Sequence, residues 1–238
     1  MQLYLAVTSD ELSDALKWGI TPVHLAYRLT GGKLLRDRNF SGTGGIMALR
    51  AGAGCDTESV PAILRECRAR GFRGILLEAE DGVSLFSLAD ALAREITVWY
   101  GHGGRRFGAI VPTDVCSGSF CSFVREHAGG APYRALADVE ISRRIYTPPC
   151  ADGRCRNVGR IEAEKLTSSA GSSFSRELST NYTLFFSGDR PHFMLFDNAA
   201  SVSAKISALR SAGIDAAVLL YSENTPETLR AALSAAQK

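Results

Sequence analysis

The chain has 238 residues, 45% of them hydrophobic and 22% charged, with a formal net charge of +2. That is an ordinary globular balance: the charge is too small to argue for nucleic acid or an anionic membrane, and no apolar run is long enough to span a bilayer. The start, Met1-Gln2-Leu3-Tyr4, has no basic segment leading into an apolar one, so no secretory leader and a cytoplasmic location are expected.

Residues 3–7 form a short β-rich run. Ser9 is placed to cap a helix with Asp10, Glu11 and Asp14 in its first turn and Leu12, Ala15 and Leu16 on its apolar side, ended by Gly19. Residues 22–29 read as a second strand with Tyr27 near its end, Gly31-Gly32 as a turn, and 46–49 as a third strand. Residues 57–70 read as a helix: Asp56 or Thr57 caps it, Pro61 sits in its first turn, and Ile63, Leu64 and Cys67 share a face. Gly71 ends it, 75–77 is a fourth strand, 84–94 a helix and 96–100 a fifth strand. This alternation argues for a parallel sheet, and a (β/α)8 barrel needs about this length of chain.

Beyond Tyr100 the pattern loosens. Residues 101–106 are too few for a crossover helix, so 108–111 is expected to extend or pair near the fifth strand rather than open a new unit. Residues 120–127 read as a helix and 135–141 as the sixth strand. Residues 147–180, rich in Pro, Gly, Ser and charge, are long for a loop and are expected to form a lid, an insertion or a partly mobile segment. Residues 182–186 and 192–196 are strand-like around the turn Ser187-Gly188-Asp189; 201–212 is a helix stopped by Gly213, 216–221 a buried strand and 226–236 the last helix.

Chemistry concentrates at the end of the fourth strand. A period of two puts Glu78 and Glu80 on one face, their Cα atoms roughly 6–7 Å apart by strand rise, where an α/β barrel carries its active site. The alternative is that Glu78, Glu80 and Asp81 are solvated charges in a loop. Six cysteines include the spaced pairs Cys116…Cys121 and Cys150…Cys155, wider than the two-residue spacing of a strong zinc signature. Free thiols, and no metal or cofactor, are therefore expected, with a four-cysteine site as the rival. His24, His102, His127 and His192 are scattered without a His-x-x-x-His spacing, and no Gly-x-Ser-x-Gly occurs, which counts against a zinc hydrolase and a serine hydrolase of those types. Gly101-His102-Gly103-Gly104 beside Arg105-Arg106 reads as a small anion nest or as a plain turn with a solvated basic pair.

Gly71-Phe72-Arg73-Gly74-Ile75-Leu76-Leu77-Glu78-Ala79-Glu80 resembles the fourth-strand signature of glycoside hydrolase family 18, in which an apolar run leads into Asp-x-Glu. Leu195-Phe196-Asp197-Asn198-Ala199-Ala200-Ser201, with Lys205 and Gly213 following, resembles the last βα unit of that family's spore-germination, cortex-lytic branch, and residues 22–35 resemble the branch's second strand and hairpin. The resemblance implies a single compact, somewhat irregular (β/α)8 TIM-type barrel over residues 1–238, with a loop or lid insertion at 147–180. It implies substrate-assisted hydrolysis of an N-acetylated glycan of peptidoglycan or chitin type, in which the substrate's acetamido oxygen is the nucleophile. Glu80 takes the position of the acid and Glu78 that of the orienting carboxylate, while Tyr27, Tyr100, Tyr146 and Tyr221 are candidates to line the sugar site. The implied partner is an oligosaccharide, with neither nucleic acid nor membrane, and the oligomeric state is open. The chain departs from the signature at Leu76, at Glu78 in place of Asp, at the sixth strand, where Met-x-Tyr has no clean match, and at Tyr221 in place of Trp. The alternative is a non-catalytic barrel that binds a glycan or a protein; Arg143 or Arg144 neutralising Glu80 would favour it.

Overall fold

The computed structural model describes residues 1–80, 82–149 and 155–238. The first half runs β1 (Gln2–Val7), α1 (Leu12–Ala15), β2 (Thr21–Thr30), β3 (Lys33–Arg36), β4 (Ile46–Ala51), α2 (Val60–Arg70), β5 (Gly74–Ala79), α3 (Phe86–Leu92) and β6 (Thr97–Trp99). There follow β7 (Ile110–Pro112), α4 (Phe120–Ala128), β8 (Leu136–Val139), β9 (Arg143–Tyr146), β10 (Cys155–Asn157), α5 (Arg160–Ala170), β11 (Ser173–Ser175), β12 (Thr180–Ser187) and β13 (Arg190–Phe196). The chain closes with α6 (Ala199–Ser211), β14 (Ala216–Leu220) and α7 (Pro226–Gln237).

Eight strands pair in parallel in the order β6-β5-β4-β2-β1-β14-β8-β7, with β3 folded back on β2. The ends of this run meet. Gly108 N donates to Val98 O at 2.9 Å, Tyr100 N to Gly108 O at 3.0 Å and Ile110 N to Gly101 O at 2.8 Å. A Cβ at Gly108 would overlap the Arg134 carbonyl, so glycine is what lets the seam close. The result is a compact, irregular (β/α)8 barrel whose strands one to eight are β1, β2, β4, β5, β6, β7, β8 and β14.

The irregularity lies where the sequence pattern loosens. Residues 108–111 do pair with the fifth strand, as expected, but they also lead into barrel strand six (β7), which is followed by its own helix. Residues 135–141 therefore hold the seventh strand, not the sixth. The crossover from five to six carries no helix; Phe107, 2% exposed, packs edge-on against Phe86 and near Tyr100, filling the outer layer that a helix would otherwise cover.

Two layers of core follow from strand alternation, one inside the barrel and one outside it. Ala6, Val23, Ile46, Ala48, Leu76, Trp99, Leu136 and Val218 fill the barrel. Outside it, α2 and α3 cover one half through Ile63, Cys67, Leu88 and Leu92, while α4, α6 and α7 cover the other through Phe120, Val124, Val202, Ile206 and Leu229. The helix ends have readable causes: α2 begins beyond the Asp56 cap with Pro61 in its first turn and stops at left-handed Gly71, and α6 opens with a reciprocal Asn198–Ser201 capping box.

Between barrel strand seven and α6, five strands form a second sheet, antiparallel, in the order β10-β9-β13-β12-β11. One face packs on α5 through Ile145, Val158, Ala163 and Met194. Its two stems touch, Asp197 N donating to Ser142 O at 2.9 Å. The buried Asp197 carboxylate accepts from Ser142 N at 2.9 Å, Thr180 Oγ1 at 3.1 Å and Lys205 Nζ at 2.7 Å. One carboxylate thus ties both stems of the inserted sheet to α6.

Candidate active site

At the C-terminal ends of the strands the inward phase changes from apolar to charged. On β5, Glu78 follows Leu76; on β4, Arg50 follows Ala48 and stands in register with Glu78; on β8, Asp138 follows Leu136. Leu25, Ala48, Arg50 and Glu78 line a cavity of about 480 Å³ on the side of strands two to four. Asp138, Glu140, Arg143, Arg144 and Leu220 line one of about 440 Å³ on the side of strands seven and eight. A larger cavity, about 810 Å³, lies at the opposite end, where Arg73, Thr97, Ala135 and Ala216 stand at the strand starts, and Glu95 is the single acidic residue lining it. Chemistry rather than size therefore selects the mouth.

The mouth is crowded with carboxylates. Burial, reinforced by Glu140 and Glu78, pushes the Asp138 carboxyl up to about 7. Glu140 is raised as well, first by burial and then by Asp114, against the opposing pull of Arg144 and Lys205. Arg144 pairs with Asp114 and reaches Glu140 at 3.5 Å, and Arg143 pairs with Glu223 at 2.7 Å. Thr113 fixes the rim, donating to Asp138 O at 2.9 Å and accepting from Glu140 N at 3.1 Å. Glu80 N donates to Ala51 O at 3.0 Å, and its carboxylate lies over Gly52, where a Cβ would come within 2.5 Å of Oε2. Among the described residues, no ion pair or hydrogen bond engages the Glu78 or Glu80 carboxylate, so the basic pair Arg143-Arg144 serves other acids. Asp81 lies outside the described residues.

Of the four tyrosines, Tyr27 lines the cavity of Arg50 and Glu78 and Tyr146 lies near Asp114, while Tyr100 and Tyr221 face the outer core. Tyr27 is buried in the layer between barrel and α2, donating to Glu66 at 2.9 Å, and burial drives its hydroxyl up. Tyr100 also points outward and accepts from Leu85 N at 2.8 Å, at the start of α3. Tyr221 packs against the outer core, and its neighbour Leu220 takes the inward phase. Tyr146 is buried on β9, with Cys116 beside its hydroxyl. Nearness to a strand end does not tell inward from outward, and on β2 a register shift between His24 and Tyr27 alters the phase. The residues missed are Arg50, Asp114 and Asp138; the signal for the last was an acid inside the apolar run Leu136-Ala137-Asp138-Val139.

An aromatic surface lies elsewhere. Tyr182, Leu184, Phe186 and Phe193 are exposed on the inserted sheet, and cross-strand register puts them on the face of Tyr146 and Arg144, away from α5. Cys116, Cys121 and Cys155 are exposed free thiols, and Cys67 is buried with its thiol pushed up to about 12. Among the described residues, no group of three His, Cys, Asp or Glu could hold a metal, and no helix is long and apolar enough to cross a membrane. Cys150, one of the paired cysteines, lies outside the described residues.

No protein-family model and no curated protein matches the chain. Solved structures do. The spore cortex-lytic enzyme SleL of Bacillus cereus aligns with a TM-score of 0.68 at 11% identity, over 98% of this chain and 74% of its own. A chitinase from Chromobacterium violaceum gives 0.70 at 11% identity, over 100% of both chains. A GH18 chitinase mutant from Cycas revoluta, solved in complex with (GlcNAc)4, gives 0.65 at 10% identity, over 100% of this chain and 99% of its own. At such identities the likeness is one of fold: the chain is built on the same (β/α)8 barrel as the family 18 chitinases and the SleL cortex-lytic enzymes.

Proposed function

We propose that the protein hydrolyses an N-acetylated glycan of peptidoglycan or chitin type. The observation that carries this reading is the pair of carboxylates at the end of barrel strand four, Glu78 facing the mouth and Glu80 over Gly52, without a basic partner among the described residues. In this reading Glu80 protonates the glycosidic oxygen as the bond to the anomeric carbon breaks. The acetamido oxygen of the same sugar closes on that carbon, Glu78 orients the acetamido group, and water then opens the ring intermediate, returning a proton to Glu80. Structural neighbours described as a chitinase, a cortex-lytic enzyme and a chitinase bound to (GlcNAc)4 support the substrate class. The exposed aromatic face of the inserted sheet suits the apolar faces of sugar rings.

A second reading, a non-catalytic glycan-binding barrel, is favoured by one observation: Leu76, 6% exposed inside the barrel, stands where the resembled signature carries an Asp. Hydrolysis of chromogenic N-acetylglucosamine oligosaccharides and of peptidoglycan by the wild type and by Glu80→Gln separates the two. The proposal expects product from the wild type and a loss of at least about 100-fold in the variant. Binding without product from the folded wild type would establish the second reading instead.

A further inference from the structure

Asp138 has no part in the reaction just described, yet it lines the mouth. It is the inward residue at the C-terminal end of barrel strand seven, three strands round from Glu78, and it opens on the cavity shared with Glu140, Arg144 and Leu220. Its own backbone carbonyl is held by Thr113, so the side chain has a fixed base. Among the described residues no group hydrogen-bonds its carboxyl. The residue is half-buried and its carboxyl is open to the cavity it lines, so a molecule that enters the cavity meets this carboxyl directly.

The charges around it decide which form that molecule meets. Glu78 faces it from strand four and Glu140 from its own segment. Around the same cavity Arg144 is engaged by Asp114 and Glu140, and Arg143 by Glu223; Lys205, which draws on Glu140, is held by Asp197. Arg50 stands in register beside Glu78. The near neighbours of Asp138 are thus acids, while Arg143, Arg144 and Lys205 already serve other carboxylates and Arg50 lines the neighbouring cavity with Glu78.

We infer that Asp138 is a substrate-contacting residue of this mouth, donating a hydrogen bond from its carboxyl O–H to a carbonyl or hydroxyl oxygen of the glycan. This rests on the glycan reading above and adds a specificity residue to it. A neutral carboxylic acid is a donor; the same group ionised is an acceptor only, and it would face the oxygen lone pairs of the sugar with a negative charge. Glycan affinity is therefore linked to a single proton, bound below neutral pH and released above it. The raised position of the carboxyl, near 7, puts that change in the physiological range.

The test is calorimetric titration of the N-acetylglucosamine tetramer into full-length Glu80→Gln protein, which keeps the sugar intact, between pH 5.5 and 8.5. The expected result is a dissociation constant that rises roughly 30-fold across that range, as for one group that must be protonated with its midpoint near 7. Asp138→Asn in the same background, which keeps a donor and removes the titration, is expected to bind with no such rise. Glu78→Gln, which removes a neighbouring negative charge, is expected to move the rise to lower pH. An identical pH dependence with and without Asp138→Asn, or with and without Glu78→Gln, would overturn the inference and leave the glycan reading standing. No binding of the tetramer at any pH by the folded protein would remove the N-acetylated glycan and this inference together.

Discussion

Replacing Asp138 by Asn should stabilise the protein at alkaline pH and leave it unchanged at acid pH. Below about pH 4 the carboxyl is protonated in both the folded and the unfolded chain, and it contributes nothing to the pH dependence. Between the ordinary value of 3.8 and the folded value near 7 the unfolded chain releases its proton while the fold retains it. Unfolding then releases a proton, so stability falls as pH rises through this window, by about 1.4 kcal/mol per pH unit. Three such units amount to about 4 kcal/mol at most; above pH 7 both states are ionised and the penalty is constant. Asn has no proton to lose, so the variant escapes the penalty. Urea unfolding at pH 4, 5.5, 7 and 8.5 measures this, because titrating groups remote from Asp138 cancel in the difference between the two proteins. The gap, referred to its value at pH 4, is expected to open steadily and level off above pH 7. Stability curves that stay parallel from pH 4 to 8.5 would refute the placement of Asp138 in an enclosed, acid-lined mouth.

Gly52→Ala should lower glycan hydrolysis without unfolding the protein: Gly52 is not in the left-handed region, and the nearest atoms to an added methyl belong to the Glu80 carboxylate. Activity and thermal melting measured together check this, and unchanged activity would show that Glu80 does not depend on that resting place. Lys205→Ala should destabilise by about 3–5 kcal/mol, because it leaves the buried Asp197 without its cation. It should also expose the inserted sheet to limited proteolysis before the barrel. Tyr27→Phe removes a buried donor to Glu66 and should lower stability by about 1–2 kcal/mol in chemical denaturation.

The regular part of the fold was legible because local signals agreed. Gly71 after an apolar helical face, Asp56 and Pro61 at its start, and the three-residue run Ile75-Leu76-Leu77 each point to the same βα unit, and the structure builds it. The count of strands slipped at one place, where Phe107 fills the outer layer in place of a helix and so removes the helical period that marks a crossover. Residues 147–180 are expected from sequence to form a lid, an insertion or a partly mobile segment; their strands β10 and β11 are only three residues each, and the helix α5 carries one buried residue, Ala163, which leaves no apolar period to read. At the mouth, the paired glutamates stood out as adjacent charges after an apolar run, but Asp138 was a lone acid inside a short strand. Its meaning comes from Glu78, which lies 60 residues away in sequence and meets it only after the barrel closes.

The contact between Ser142 and Asp197 has a consequence for how such a protein can change. The two points where the inserted sheet leaves and rejoins the barrel are hydrogen-bonded neighbours, so the barrel sees a loop whose ends are already together, whatever lies between. Lengthening that excursion costs only a slowly growing loop entropy, of order 0.6 kcal/mol per doubling. The lysine that anchors it belongs to the barrel's own helix and stays behind. The wall beside the mouth can therefore be rewritten, lengthened or traded for another as a unit, while the acids at the strand ends stay where the barrel puts them. The shape of the wall and the identity of the acids are in this architecture separately heritable.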